Sequence, residues 1–186
     1  MARMSGVRAD AVAKVPNFEE IRTAGAAIRD RVLSNLDAYL FQFEQAAQAR
    51  GVIVHWAETG EDVNGIVRDI AQQNGVKKII KSKSMLGEES SLNHYLQEAE
   101  LDVRETDLGE YILQISGETP SHIIAPAIHK SKEDVGELFE RVHLMPRKHT
   151  IPEMCREARM MLRPHFLSAD MGISGANFLI AETGSV

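Results

Sequence analysis

Residues 76–105 read VKKIIKSKSMLGEESSLNHYLQEAELDVRE. Two short apolar runs, 76–81 and 101–105, flank a segment that reads as a helix over 88–100. Strands separated by about ten or more helical residues cannot close as a hairpin. They pair in parallel through a right-handed crossover. The same alternation continues outward. VIVHW at 52–56, HIIAP at 122–126 and NFLIA at 177–181 read as further strands. Thr59 with Asp62 and Ser131 with Asp134 have the spacing of a helix cap and its N3 acid, opening helices to about residues 74 and 142. Thr150, Pro152 and Glu153 open another, to about residue 167. The stretch 107–121 is open between strand and helix; the spacing of Leu108, Ile112 and Ile115 favours a short helix. The fold class expected is α/β: a Rossmann-like parallel sheet flanked by helices.

Upstream of the first strand, apolar residues from Ile28 to Phe43 recur at helical spacing and Gly51 closes the run. Residues 17–50 are therefore expected as a helical extension, 1–16 as a flexible N-terminus and 51–186 as the α/β domain. The last strand, 177–181, is as apolar as a central one, yet the chain stops five residues later. It is expected either at a sheet edge or in a domain incomplete at its C-terminus.

Composition narrows the function. No run of about 18 uncharged apolar residues exists, so no membrane span is expected, and the N-terminus lacks the apolar stretch of a secretory signal. A net charge of −6 with one Trp, three Tyr and six Phe gives no electrostatic footprint for nucleic acid. The single cysteine, Cys155, cannot form an internal disulfide, which suits a reducing compartment. Nor can it supply the several thiolates of an iron–sulfur cluster or a cysteine-rich zinc site.

In a parallel sheet, ligands bind beyond the carboxyl ends of the strands. Those ends are expected to deliver His55, Trp56 and Glu58; Lys81, Lys83 and Ser84; Asp107 and, nearby, Glu110; His129; and Glu182. Lysines alternating with serines ahead of a helix suit a phosphate or carboxylate, and equally suit a solvated strand end. His129 has the chemistry of a general acid or base, and equally that of a histidine bonded to backbone. Asp107 and Glu110 are three apart and share a helical face; Asp107 is also a natural helix cap. Glu182 either points into the crevice or is an exposed turn residue.

Five segments in order carry a family resemblance. They are Val54-His55-Trp56-Ala57, Lys81-Ser82-Lys83-Ser84-Met85, Glu105-Thr106-Asp107-Leu108-Gly109-Glu110, Pro120-Ser121-His122-Ile123-Ile124-Ala125-Pro126-Ala127-Ile128-His129-Lys130, and Gly172-Ile173-Ser174-Gly175-Ala176-Asn177-Phe178 through to Ala181-Glu182-Thr183-Gly184-Ser185. From about residue 17 onward the chain resembles the LUD domain at the N-terminal end of the iron–sulfur lactate utilisation protein B family. The resemblance implies a fold like that of sugar-phosphate isomerases and CoA transferases. It implies a subunit of a cytoplasmic complex that oxidises L-lactate to pyruvate, with the other subunits as partners. It implies electron transport through two 4Fe–4S clusters held by cysteine motifs C-terminal to the LUD domain, and hence no cofactor in this stretch. Within that frame Lys81, Lys83, Ser84, Asp107, His129 and Glu182 are the candidate crevice for an anionic small molecule. A different class of reading is a non-catalytic docking module that binds partner subunits through 17–50. A third makes Glu182 an acyl-accepting carboxylate, as in a CoA transferase. Self-association through an unpaired strand edge is also expected.

Overall fold

The structure is a computed structural model that describes residues 2–121 and 125–186, with side chains from residue 5. The chain divides into two compact units.

The first unit comprises residues 1–54 and 178–186. Its helices are α1 (Ala2–Ala13), α2 (Phe18–Leu33) and α3 (Leu36–Gln48). Residues 1–16, expected as flexible, thus contain a helix, and Arg8 lies over the Phe18 ring, 6.0 Å from its centroid. The break between α2 and α3 falls at Ser34 and Asn35, whose side chains donate back to the carbonyls of Asp30 and Arg31. Such local bonds compete with helix continuation. Ala47 on α3 is fully buried. A Cβ on Gly184 would lie 2.2 Å from the Ala47 nitrogen, and Gly184 has a φ of +64°, so only glycine fits this turn.

The second unit, residues 55–177, holds α4 (Gly60–Gln73), β1 (Lys78–Lys81), α5 (Met85–Glu89), α6 (Leu92–Glu98), β2 (Asp102–Glu105), α7 (Leu108–Ser116), α8 (Lys132–His143), α9 (Ile151–Ser168) and β3 (Met171–Ile173). Both expected capping boxes form, at Thr59/Asp62 and Ser131/Asp134. The stretch after Asp107 is helix α7, as its apolar spacing favoured. The sheet is parallel throughout, in the order β2-β1-β3. A mixed α/β architecture with a small parallel sheet flanked by helices is therefore present.

Two expected strands differ. Residues 52–56 are irregular, with Ile53 and Trp56 exposed. Residues 177–181 are irregular too, apart from a bridge between Ile180 and Ser185, and Phe178 is exposed. β-branched and apolar residues favour extended backbone, but a strand exists only where a neighbour supplies the ladder. For 122–126, residues 122–124 lie outside the described residues; Ala125 and Pro126 are bend and turn. Sequence reading missed β3, which has three residues with Gly172 at its centre. Asp170 registers it: its carboxylate accepts the N–H groups of Lys77 and Lys78, both at 2.9 Å.

Side chains alternate across the sheet with period two. One face presents Ile79 and Val103 to a core of Ala71, Val76, Leu92 and Leu96 from the helices around α4 and α6. A second core, Tyr111, Ile112, Leu138, Phe139, Met154, Ala158 and Leu162, joins α7, α8 and α9. Inside it His143 Nε2 meets the Tyr111 hydroxyl at 2.9 Å and His143 Nδ1 meets Glu157 at 2.7 Å. The outer edge of β2 is covered: Gln114 donates to the Val103 carbonyl and accepts from the Glu105 N–H.

On the first core's face, one step beyond Ile79 and Val103, sit Lys81 and Glu105, paired in register. Lys81 Nζ is 2.7 Å from Glu105 and 3.1 Å from Glu88, and Asn93 donates to Glu105 at 2.5 Å. Burial alone would push the Lys81 ammonium down; the hydrogen bonds and charges of Glu105 and Glu88 outweigh it and hold it above its ordinary value. Removing one partner of a buried pair strands the other charge, whereas replacing both by apolar groups is far cheaper. Lys81→Met is expected to cost about 3–5 kcal/mol in urea unfolding, and Lys81→Met with Glu105→Leu to recover most of it. Equal losses in the single and double variants would refute this account of the pair.

Candidate functional site

Because the strands are parallel, their carboxyl ends meet on one rim. β1 delivers Ser82, Lys83 and Ser84, β2 delivers Thr106 and Asp107, and β3 delivers Ser174 and Gly175. The rim is stitched together. The Thr106 N–H and hydroxyl both donate to the Lys81 carbonyl, at 2.9 and 3.0 Å. The Ser82 N–H donates to the Ile173 carbonyl at 2.9 Å, and Ser82 Oγ meets Ser174 Oγ at 3.1 Å. A Cβ on Gly175 would lie 3.0 Å from the Lys83 carbonyl, so glycine permits the close approach of the β3 end.

Two clefts open at this rim. One, about 850 Å³, is lined by Ser82, Lys83, Ser84, Thr106, Asp107 and Asn177 among others. The other, about 550 Å³, shares Lys83 and Ser84 and adds His94, Glu110 and Ser121. Ser84 caps α5 by accepting from the Gly87 N–H, and Asp107 caps α7 by accepting from the Gly109 N–H.

Lys83 Nζ is 3.4 Å from Glu110, whose side chain is 6% exposed and whose Oε2 has no hydrogen-bond partner. Burial, reinforced by the neighbouring Asp107 carboxyl, pushes Glu110 up to about 7. Asp107 moves the other way, held below its ordinary value chiefly by its hydrogen bond with Glu110. Of the two neighbouring carboxyls, Glu110 takes a proton more readily than Asp107. Near neutrality, then, Glu110 is about half ionised, while Asp107 keeps its charge beside Lys83.

The second cleft leads to a polar chain. Ser121 Oγ lies 2.6 Å from His129 Nδ1, and His129 Nε2 lies 2.9 Å from Glu118. Lys130 also pairs with Glu118, at 2.5 Å. Hydrogen bonds from Lys130 and then His129 hold the Glu118 carboxyl below its ordinary value.

The six candidate residues thus divide. Lys83, Ser84 and Asp107 line one cleft together, and His129 joins its neighbour through Ser121. Lys81 is fully buried with its ammonium bonded to Glu105 and Glu88, so the expectation that it lines the crevice is corrected. Glu182 is exposed and belongs to the first unit. Sequence reading missed Glu118 and Ser121. Eleven and eight residues from His129, they meet it across irregular backbone and a turn rather than along one helix or strand, so no periodic signal announced them.

Among the described residues, no group of three or more His, Cys, Asp or Glu is placed to hold a metal ion. Cys155 is exposed and single, so these residues do not fit an iron–sulfur cluster. Among the described residues no helix is long and apolar enough to cross a membrane.

Comparison with known proteins places this geometry. The model of the LUD domain matches residues 40–186. Lactate utilization protein B of Geobacillus sp. (strain WCH70) is 44% identical over 185 residues, covering 99% of this chain and 39% of that protein. The protein of the same name from Bacillus subtilis (strain 168) is 45% identical with the same coverage. The electron transport protein YkgF of Escherichia coli (strain K12) is 43% identical over 184 residues, again 99% of this chain and 39% of that protein. The chain thus spans about two fifths of the length of these relatives. No solved structure matches. With the family model covering most of its residues, and both clefts built from residues inside that span, the chain belongs to the LUD domain family.

Proposed function

We propose that this chain is the LUD portion of an iron–sulfur electron-transfer subunit in a cytoplasmic lactate-utilisation system, working with partner subunits to oxidise L-lactate to pyruvate. The observation that carries this reading is the match over 99% of the chain to proteins named for lactate utilization. The family's 4Fe–4S clusters would lie outside these residues, whose one cysteine is no cluster ligand set. The finer fold reading, a Rossmann-like sheet of the sugar-phosphate isomerase and CoA transferase type, is supported by the parallel order β2-β1-β3. The family match beginning at residue 40 supports an LUD-type domain over about 51–186, with 17–50 as an extension.

Within this reading the rim around Lys83, Ser84 and Asp107 holds a small carboxylate anion, with His129 beside it. Lys83 supplies the charge and Ser84 a hydroxyl donor. Glu110 sets the conditions. Ionised, it competes with an anion for Lys83; protonated, it no longer does.

A second reading, docking of a partner subunit on the helical extension, is favoured by α2. That helix buries no residue, and Ile21, Ile28 and Leu33 on it are exposed. Self-association would use the outer edge of β3, with which no further strand pairs among the described residues.

Three measurements test the proposal. The full reading frame that encodes this chain should restore growth on L-lactate to a Bacillus strain lacking lactate utilization protein B; failure with normal expression overturns the function. By calorimetric titration with lactate or pyruvate, Lys83→Ala should weaken binding ten- to a hundred-fold, the loss of a charge-assisted bond of about 1.5–3 kcal/mol. Unchanged affinity in both Lys83→Ala and His129→Ala would remove the rim as the ligand site. The third reads the proton. Glu110 is neutral below about pH 7 and ionised above it, while both acids remain anionic, so affinity should fall between pH 6 and 8. Glu110→Gln should bind at all pH values as the wild type does at pH 6; a retained pH dependence would exonerate Glu110.

A further inference from the structure

The chain Ser121–His129–Glu118 has the connectivity of an activated serine. Its proton placement follows from donor and acceptor chemistry alone. The Glu118 carboxylate, already bonded to Lys130, can only accept, so the proton of the neutral imidazole sits on Nε2, 2.9 Å away. Nδ1 then presents a lone pair to Ser121 Oγ at 2.6 Å, and the hydroxyl donates to it. That is the arrangement in which a base takes a serine's proton while a carboxylate fixes the base's tautomer. The same hydroxyl has one alternative acceptor, the Pro126 carbonyl at 3.0 Å, to which it turns when the imidazole is protonated.

The geometry is held by backbone. The Ser121 N–H donates to the Pro126 carbonyl, and successive turn bonds run from Ile128 to Ala125 and from Lys130 to Ala127. A Cβ on Gly109 would lie 3.0 Å from Pro126 Cγ, so this turn is seated on the start of α7. Ser121 and His129 are both exposed, and Ser121 lines the 550 Å³ cleft, so a substrate carbonyl can reach Oγ.

We infer that Ser121 is an acyl-accepting nucleophile, with His129 as its general base and Glu118 as the residue that positions His129, acting on small activated acyl esters or thioesters. Oγ forms a bond to the acyl carbon as its proton passes to Nδ1. The carbon–oxygen or carbon–sulfur bond to the leaving group breaks, and the leaving group takes the proton from Nδ1. Water, deprotonated by the same nitrogen, then cleaves the acyl-serine, releasing the acid and restoring the hydroxyl. Ser121 and Lys83 line the same cleft, and Ser121→Ala against Lys83→Ala separates acyl transfer from carboxylate binding.

The test is labelling of the full chain with a fluorophosphonate probe, read by intact mass and peptide mapping. The phosphorus–oxygen bond forms on Ser121 and fluoride leaves. One adduct on Ser121 is expected, absent in Ser121→Ala. The rate should fall at least about ten-fold in His129→Ala, with partial recovery on adding free imidazole, which a merely structural histidine would not show. In Glu118→Gln an amide N–H can face Nε2, so the His129 tautomer should switch in its nitrogen NMR shifts and labelling should slow. p-Nitrophenyl acetate turnover should follow the same order. An unlabelled Ser121 in the wild type, or equal labelling in His129→Ala, overturns the inference. Since all three side chains are at the surface, thermal unfolding of the variants should match the wild type and keep those outcomes readable.

Discussion

The Lys81–Glu105 pair is the constraint on which the rest of this unit depends. Two charges sit where the sheet's inner face would otherwise carry a third apolar layer above Ile79 and Val103. Desolvating them is costly, and the cost is offset only if the geometry is good and the remaining oxygens and protons are bonded. The structure meets this in part: Glu88 from α5 gives the Lys81 ammonium a second carboxylate and Asn93 from α6 donates to Glu105 Oε1, while Glu105 Oε2 is left without a hydrogen-bond partner. The crossover between β1 and β2 is thereby tied at its middle to the strands it connects. A one-residue slip would put Lys81 opposite Arg104 or Thr106 in place of Glu105, so the pair specifies alignment as well as contributing to stability.

That anchoring has a consequence at the rim. A Cβ on Gly87 would lie 2.8 Å from Lys81 Cε, so the backbone of α5 rests directly on the lysine stem. With α5 seated there, the loop from Ser82 to Ser84 leaves the sheet in one direction and its side chains line the clefts. The Thr106 bonds to the Lys81 carbonyl add the β2 end to the same fixed frame. The candidate site is built on strand ends held by a buried salt bridge, the kind of support a binding site needs to keep its geometry.

How much of this was legible in the sequence depended on whether the signal was local. The capping pairs at Thr59 and Ser131 are complete within four residues, and both form as read. The crossover 76–105 carries its own strand and helix periods, and it folds as β1, α5, α6 and β2. Residues 52–56 and 177–181 have strand-like composition, but strand formation depends on a neighbour that composition does not reveal. Strand β3 shows the converse: three residues around a glycine, made a strand by Asp170 and the edge of β1. At the site, Lys81 and Lys83 share a face by the strand period; what separates them is that β1 ends at Lys81, which stays with Ile79 on the core face, while Lys83 lies beyond the strand. Ser121 and Glu118 were invisible because their partnership with His129 is made by a turn, not by a repeat.

The two lysines of this run finally differ in what answers their charge. Lys81 faces Glu105, which is buried, receives hydrogen bonds from Asn93 and Lys81, and lies in register with its partner. Lys83 faces Glu110, which burial and the adjacent Asp107 raise to about 7. Losing its charge relieves both the desolvation and the repulsion, so protonation there is cheap. One lysine is locked in a buried, in-register pair, while the other faces a carboxyl that gives up its charge near neutrality. The same motif thus supplies a structural cation inside and, two residues later, a cation that faces Glu110, which loses its charge near neutrality, and Asp107, which keeps its own.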